Sequence, residues 1–302
     1  MIKIYFKILA LSIPAISAVV ICCHIFSENF IDYYYAKITN EGQSLIIGTS
    51  RASQGIIPDS VMRNTRFDGP MLNFALSSFD SPFGEAYYNA IKKKLNKDTK
   101  NGLFIIEIEP SALLKEENSN LKSNKLDNQI IFHGKPNYEY IFRNVNPFYK
   151  LIEDRHFRDD KSVQHPNGWM EVKLQLDSIS VKSRGEAKLK VAQKNFPKCT
   201  LSEERIYYLK ETIRLLKNHG NVMLIKIPAW QPIQDVESSY LPNLNKLMHQ
   251  IAKEMEIKYY DFSFYCNNYS YADGNHLDRE SAIKFSSELN KLILENERTN
   301  SH

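Results

Sequence analysis

Cysteine is scarce in this 302-residue chain. Of its four cysteines, Cys22 and Cys23 lie inside the first hydrophobic segment, where a thiol acts as a small apolar side chain. Cys199 and Cys266 remain; in an oxidising compartment they could form one disulfide, and two free thiols are the alternative. A small fold held together by several disulfides is therefore excluded.

A metal-ligand pattern and an excess of one charge are also lacking. His133, His156 and His165 have no cysteine or carboxylate companions at metal-ligand spacing, so we predict no metal and no cofactor. The 39 Lys and Arg residues nearly balance the 35 Asp and Glu residues, which gives a formal net charge of +4, and the lysines are scattered. This distribution argues against nucleic acid as a partner.

One long hydrophobic run is present, at the N-terminus. Residues 4–26 carry a single charge, at Lys7, and are enough for a helix to cross a hydrocarbon core about 30 Å thick. Lysines precede the run and acidic residues follow it, which places the N-terminus in the cytoplasm. The alternatives are a buried core helix and a cleaved signal peptide, although no clear cleavage site follows. We predict a single-pass anchor over 1–26, a juxtamembrane connector over 27–43, and a domain outside the cytoplasm, periplasmic or on the cell surface.

Beyond this connector, buried strand patterns alternate with amphipathic helix patterns, and no internal repeat is visible. Such alternation is typical of an α/β fold with a parallel sheet, so we predict a three-layer α/β/α sandwich of the flavodoxin-like type. The domain is expected over 44–296, with an insertion over 111–200 and a polar tail over 297–302. The predicted strands lie within residues 45–47, 71–78, where the strand runs into a polar turn, 103–110, 221–228 and 258–262.

Several helix starts are predicted from capping patterns. Ser81 followed by Pro82 reads as an N-cap and first helical residue, and Thr200 with Glu203 reads as a capping box. Asp278 is the expected N-cap of the last helix. These three helices should pack on the sheet through their apolar faces.

The insertion has a different composition, rich in Asn, Lys and aromatic residues. One half-buried strand is expected over 170–176, where apolar and polar residues alternate. Because so long a segment is uncommon as bare loop, we predict a lid or substrate platform. Its aromatic residues could stack on sugar rings, or they could form a small core of their own.

A candidate nucleophile follows the first strand of the domain. Residues 45–47 are apolar, Gly48 permits a sharp turn, and Ser50 then lies at the carboxyl end of the strand. Functional groups gather at that edge of open α/β sheets. A serine in a turn is otherwise a cap or turn residue.

Residues that could activate this serine lie near the end of the chain. Asp273 and His276 are three residues apart in a Gly/Asn-rich loop before the last helix. A serine hydroxyl needs an imidazole to take its proton, and the imidazole needs a carboxylate to fix its tautomer. The spacing allows the carboxylate to fold back onto the ring. We therefore predict a triad of Ser50, His276 and Asp273.

These two motifs together resemble the SGNH/GDSL hydrolase superfamily, and in particular its membrane-anchored DltD-like and alginate-acetylation-type branch. The resemblance covers roughly residues 44–110 and 221–294. It implies an oxyanion hole formed by the backbone amides of Ser50 and Ser78. Asn73, at the end of the second strand, is a further candidate oxyanion or substrate-binding residue, or it is a strand-end hydrogen-bonding residue. The chain departs from the superfamily where Gly-x-Asn-Asp is usual, because it has Glu107, Glu109 and Pro110.

The resemblance implies a membrane-anchored serine acyltransferase or esterase that acts on O-acyl groups, acetyl above all, of cell-envelope or secreted polysaccharides. The expected partners are the membrane, a polytopic membrane-bound O-acyltransferase and a polysaccharide acceptor. The alternative is a non-catalytic envelope protein that serves as a binding or scaffold partner of such an O-acyltransferase. Arg51 is a candidate ligand for an anionic substrate group, or it pairs with a surface carboxylate. Glu109 could line the site, although a solvated strand-end carboxylate is the favoured interpretation.

Overall fold

The structure is a computed structural model that describes residues 2–29, 35–76, 81–116, 136–143 and 162–299. The predicted oxyanion residue Ser78 and much of the predicted insertion lie outside these ranges. His133 and His156 lie outside them as well.

Short strands make up the sheets of the described part. They are β1 (Ser44–Ile47), β2 (Met71–Asn73), β3 (Gly102–Glu107), β4 (Leu114–Glu116), β5 (Ser162–Gln164), β6 (Met170–Val172), β7 (Cys199–Leu201), β8 (Gly220–Lys226) and β9 (Lys258–Asp261). Five of them form one parallel sheet in the order β2-β1-β3-β8-β9, while β4-β7 and β5-β6 are small antiparallel pairs.

Helices connect these strands. They are α1 (Ile2–Asn29), α2 (Tyr35–Thr39), α3 (Ser50–Gly55), α4 (Pro58–Val61), α5 (Glu85–Lys94), α6 (Pro110–Leu113), α7 (Tyr138–Arg143), α8 (Ser178–Asn195), α9 (Glu203–Lys217), α10 (Gln231–Tyr240), α11 (Leu244–Glu254) and α12 (Arg279–Thr299). Two 3₁₀ stretches span Phe196–Lys198 and Ser263–Asn268.

The parallel sheet is covered on both faces, which confirms the predicted α/β sandwich. Because side chains alternate along a strand, Ile46 and Ile105 point to the face that carries α3, α4 and α12. Leu45 and Phe104 point to the opposite face, which carries α5, α9 and α11. Every residue of β1 and β3 is buried, as expected for the central strands of a parallel sheet.

Residues 2–29, which include the predicted anchor, form the single helix α1. Within the described ranges, no helix has the combination of length and apolar character that crossing a membrane requires. The anchor stays a prediction.

Two predicted helix starts are wrong. Helix α5 begins at Glu85 rather than at Pro82, because the Ser81 hydroxyl donates to the carbonyl of Ala112, 2.6 Å away. Helix α9 begins at Glu203 with Ser202 as its N-cap, so Thr200 belongs to β7 instead. Asp278 is confirmed as an N-cap, since its Oδ1 accepts the amide of Ser281 at 2.8 Å.

The insertion differs from its prediction in two ways. Its half-buried strand ends at Val172 and pairs with β5. The 18-residue helix α8 was not predicted, because Gly185 is its one buried residue and an exposed helix has no apolar periodicity. Cys266 is a free thiol, so no disulfide joins it to Cys199 in the structure.

Candidate active site

Three predicted residues meet at the carboxyl edge of the parallel sheet. Ser50 Oγ lies 2.8 Å from His276 Nε2, and His276 Nδ1 lies 2.9 Å from Asp273 Oδ2 and 3.0 Å from Asp273 Oδ1. With Nδ1 donating to the carboxylate, Nε2 is free to accept the serine proton. The arrangement has the contacts that a nucleophilic serine requires.

The local sequence shapes the loop that carries the histidine. Asp273 Oδ1 accepts the backbone amides of Asn275 at 3.1 Å and His276 at 3.0 Å, and Gly274 between them has a φ of +78°. This turn brings the carboxylate back onto the imidazole ring. Burial alone would raise the pKa of Asp273, but the hydrogen bonds from His276 and the charge of Lys188 outweigh it and hold that pKa well below its usual range.

The nucleophile lies in a tight turn between β1 and α3. Thr49 is the N-cap of α3, and Ser50 is the first residue of that helix. A Cβ on Gly48 would lie 2.6 Å from Oε2 and 2.7 Å from Cβ of Glu107, so only glycine fits this close approach without displacement. Ser50 keeps partial exposure to solvent, as a substrate-facing hydroxyl must.

Two glutamates at the end of β3 support this turn from below. Glu107 Oε2 accepts the Thr49 amide at 2.8 Å, and the Thr49 hydroxyl donates to Glu109. Glu107 is fully buried, and its other carboxylate oxygen has no hydrogen-bond partner. Burial and the nearby Glu109 raise the pKa of Glu107 to about 8.

Glu109 is not the solvated carboxylate that was favoured from the sequence, because it is only 4% exposed. Its Oε1 accepts the hydroxyl of Ser111 at 2.7 Å, and its Oε2 lies 3.8 Å from Arg51 Nε. Burial by itself would raise its pKa, but Arg51 and these hydrogen bonds outweigh burial and lower it. Glu109 is therefore an anionic part of the floor beneath Ser50.

Arg51 links the two halves of the triad. Its guanidinium pairs with Glu237 of α10, and both Nε and Nη2 donate to Asn275 Oδ1, at 3.2 and 2.7 Å. The side chain is 2% exposed, so its ion pair is buried rather than on the surface. Since Arg51 follows Ser50 and Asn275 precedes His276, these contacts fix the nucleophile relative to its base.

Asn73 lies further from the triad and ties β2 to α3. Its side-chain amide donates to the carbonyls of Ala52 and Ile56, each at 2.9 Å, and its Oδ1 accepts the amide of Ala75 at 3.1 Å. The side chain is fully buried. Asn73 thus orders the segment that leads toward Ser78, and Ser78 itself lies outside the described residues.

A cleft of about 690 Å³ opens beside Ser50 and His276. Helix α8 and the residues after it form one wall, and α6 and α10 contribute to the others. The apolar lining side chains are Leu114, Met170, Val191, Phe196 and Ile233, and the polar ones include Glu109, Ser111, Lys188, Asn195 and Glu237. Such a mixed cleft suits a substrate with both apolar and polar parts.

His165 pairs with Glu171 at 2.9 Å and stacks on Trp169, away from any cluster of other ligands. Among the described residues, no group of three or more His, Cys, Asp or Glu side chains is placed to hold a metal ion.

Sequence reasoning missed three residues around the triad: Lys188, Glu237 and Asn275. Asn275 could have been found, because it stands next to His276 in the same motif. Glu237 carries a weaker signal, since it lies one helical turn after the buried Ile233 on the inner face of α10. Lys188 carries none, because α8 is exposed and rich in lysine.

Comparisons with known proteins add little to this geometry. No protein-family model matches the chain, and no curated protein matches it. Among solved structures, the chain is similar to the inhibitor-bound form of an M. smegmatis aryl esterase, with a TM-score of 0.37 and 11% sequence identity, over 83% of this chain and 99% of the esterase. A likeness at this level leaves the function to be argued from the site itself.

Proposed function

We propose that this protein is a serine acyltransferase or esterase that acts on O-acyl groups. The observation that carries the proposal is the chain of contacts from Ser50 through His276 to Asp273, with heavy-atom distances of 2.8 and 2.9 Å. A purely structural role would not require a serine, an imidazole and a carboxylate to contact one another in this order at the edge of a cleft, so the arrangement favours catalysis.

The first half-reaction is acylation of the serine. Ser50 Oγ attacks the acyl carbonyl carbon while its proton passes to His276 Nε2, and Asp273 stabilises the imidazolium that results. The tetrahedral intermediate then collapses, the bond to the alcohol oxygen breaks, and His276 returns the proton to that oxygen. The alcohol leaves and the acyl group stays on Ser50.

The second half-reaction removes the acyl group. A hydroxyl group, from water in an esterase or from a sugar in a transferase, attacks the acyl-serine while His276 takes its proton. The tetrahedral intermediate then collapses and the bond between the acyl carbon and Ser50 Oγ breaks. Ser50 regains its proton from His276. In both halves the oxyanion needs backbone donors, for which we propose the amides of Ser50, at the start of α3, and Ser78.

The finer assignment follows from the resemblance of the sequence motifs. We propose that residues 1–26 anchor the chain in a membrane with the domain on the extracytoplasmic side. There it acts on acetyl or similar groups of a cell-envelope or secreted polysaccharide beside a polytopic O-acyltransferase. A tether of this kind keeps the domain close to a membrane-delivered acyl donor and so raises the effective concentration of the two.

The test uses the full-length protein in a mild non-ionic detergent. It is incubated with a fluorophosphonate probe and with p-nitrophenyl acetate, beside Ser50→Ala and His276→Ala. The controls are Ser287→Ala on α12 and His249→Ala on α11, two exposed positions outside the cleft. Labelling and turnover in the parent and in both controls, with their loss in both triad variants, are the expected results.

If the folded parent neither labels nor turns over the ester, the free-standing esterase is wrong. The transferase function is then tested by adding membranes that contain an acyl donor and an O-acyltransferase. It is supported if the parent transfers the acyl group to a polysaccharide and Ser50→Ala does not. No transfer under those conditions leaves the non-catalytic binding partner as the function.

A further inference from the structure

Helix α8 packs along α10 but buries almost none of its own side chains. Of its 18 residues only Gly185 is buried, and Ile179 and Val191 expose 80% and 55% of their surface. A helix without a buried apolar face is not held by the hydrophobic core. Its position over the cleft therefore depends on its packing along α10 and on specific contacts with the loop that carries His276.

Those contacts fall on consecutive residues of the histidine loop. Arg184 Nε donates to the carbonyl of Ala272 at 2.8 Å, and Lys188 Nζ lies 3.7 Å from Asp273 Oδ2. Between these two side chains, Gly185 lies against Gly274: a Cβ added to Gly274 would be 3.3 Å from the Cα of Gly185. Three positions of α8 thus contact residues 272–274, next to the triad.

The tryptophan before α10 completes this junction. The Trp230 amide donates to the carbonyl of Gly274 at 2.8 Å, and its indole ring would lie 3.4 Å from a Cβ on Gly185. A Cβ at that distance is in ordinary contact with the ring, so only a side chain with atoms beyond Cβ would collide with it and displace α8 from the loop.

We propose that α8 is a positioning element of the active site, which holds the Asp273–His276 loop in its productive geometry through Arg184, Gly185 and Lys188. The proposal rests on the proposed function, because it assigns the insertion a part in that same site. Asp273 can orient the imidazole only while the loop stays in place, so a displaced α8 lowers the rate of the chemical step more than substrate binding.

The charges around the imidazole make the role of Lys188 specific. Asp273 and Glu109 are the anions that face His276, while Arg51 of α3 is neutralised by Glu237 and Glu109. Lys188 is the cation that α8 brings to Asp273. Because nearly half of its side chain is exposed, its ion pair is a modest contribution.

The experiment compares Gly185→Val, Lys188→Met and Lys188→Arg with the full-length parent in detergent. Gly185→Val should lower kcat for p-nitrophenyl acetate at least tenfold with little change in KM, as expected when reacting groups are misplaced by a fraction of an ångström. Lys188→Met should lower kcat about two- to fivefold, and Lys188→Arg should restore it. Lys190→Met, an exposed lysine of the same helix, is the matched control and should behave as the parent.

Hydrogen exchange gives a readout that does not depend on activity. In Gly185→Val, the amides of residues 272–276 should exchange at least tenfold faster, while those of β3 and β8 stay as in the parent. Unchanged exchange in that loop would overturn the proposal even if the enzyme is active. A parent without turnover would reject the free-standing esterase alone, because the exchange result still decides whether α8 holds the loop. A rise in KM at constant kcat for Lys188→Met would assign Lys188 to substrate binding and overturn its positioning role.

Discussion

The buried ion pairs of Arg51 with Glu237 and Glu109 offer the sharpest test of the structure. Arg51→Met keeps an unbranched side chain of similar length but removes the charge from a site in which the guanidinium is 2% exposed. Its partners Glu237 and Glu109 are 3% and 4% exposed, so the variant leaves two carboxylates without their cation and without access to water. Asn275 also loses both donors to its Oδ1.

The cost can be worked out in magnitude and in pH dependence. Removing one partner of a buried ion pair typically costs about 3–5 kcal/mol of unfolding free energy. In the variant, the pKa of a buried carboxyl rises above its unfolded value, so the folded state keeps a proton that the unfolded state has lost. Stability then falls as pH rises, by about 1.4 kcal/mol per pH unit for one such proton. We expect a destabilisation that is about 2–3 kcal/mol larger at pH 7 than at pH 5.

Urea unfolding of the full-length protein in detergent at pH 5, 6, 7 and 8, followed by tryptophan fluorescence, measures this dependence. Arg298→Met, an exposed position near the end of α12, is the matched control and should shift the midpoint little at any pH. A loss of stability that is the same at pH 5 and pH 8 would refute the reasoning about uncompensated buried carboxylates. A variant as stable as the parent would refute the buried ion pair itself.

Two further predictions concern the floor of the nucleophile turn. The folded-state pKa of Glu107 is raised to about 8, so its carboxyl destabilises the fold progressively as pH rises from about 4.5 to 8. The urea midpoint of Glu107→Gln, relative to that of the parent, should therefore rise between pH 5 and pH 8. A difference between the two midpoints that stays constant over this range would contradict the prediction. Gly48→Ala forces a Cβ to within 2.6 Å of Glu107 Oε2 and should cost about 1–3 kcal/mol in urea unfolding together with most ester turnover, whereas Gly55→Ala, with its nearest neighbour at 3.5 Å, should be tolerated.

Glu107 and Glu109, at the end of β3, support the turn that carries the nucleophile. Both accept hydrogen bonds from Thr49. They anchor the turn that presents Ser50, and Glu109 also helps to neutralise Arg51.

The sequence alone determined the parts of this protein that depend on local periodicity. Apolar runs such as 45–47 and 103–106 alternate with amphipathic helices, and this is enough to predict strands buried on both sides and hence three layers. The three-residue spacing of Asp273 and His276 places a carboxylate within reach of its own imidazole, because the turn between them is short. Helix starts were less certain, because the hydroxyl of Ser81 found a partner outside its own helix.

The tertiary structure decided everything that joins distant segments. Ser50 and His276 are 226 residues apart, and their contact depends on the order of the strands and on the loops that their carboxyl ends carry. Arg51, Glu109 and Glu237 look like surface residues in the sequence, and only the packing of α3, β3 and α10 buries them together. Helix α8 was not predicted because it is exposed. It packs along α10 with almost no buried side chain, and an element that buries no apolar face leaves no hydrophobic period in the sequence.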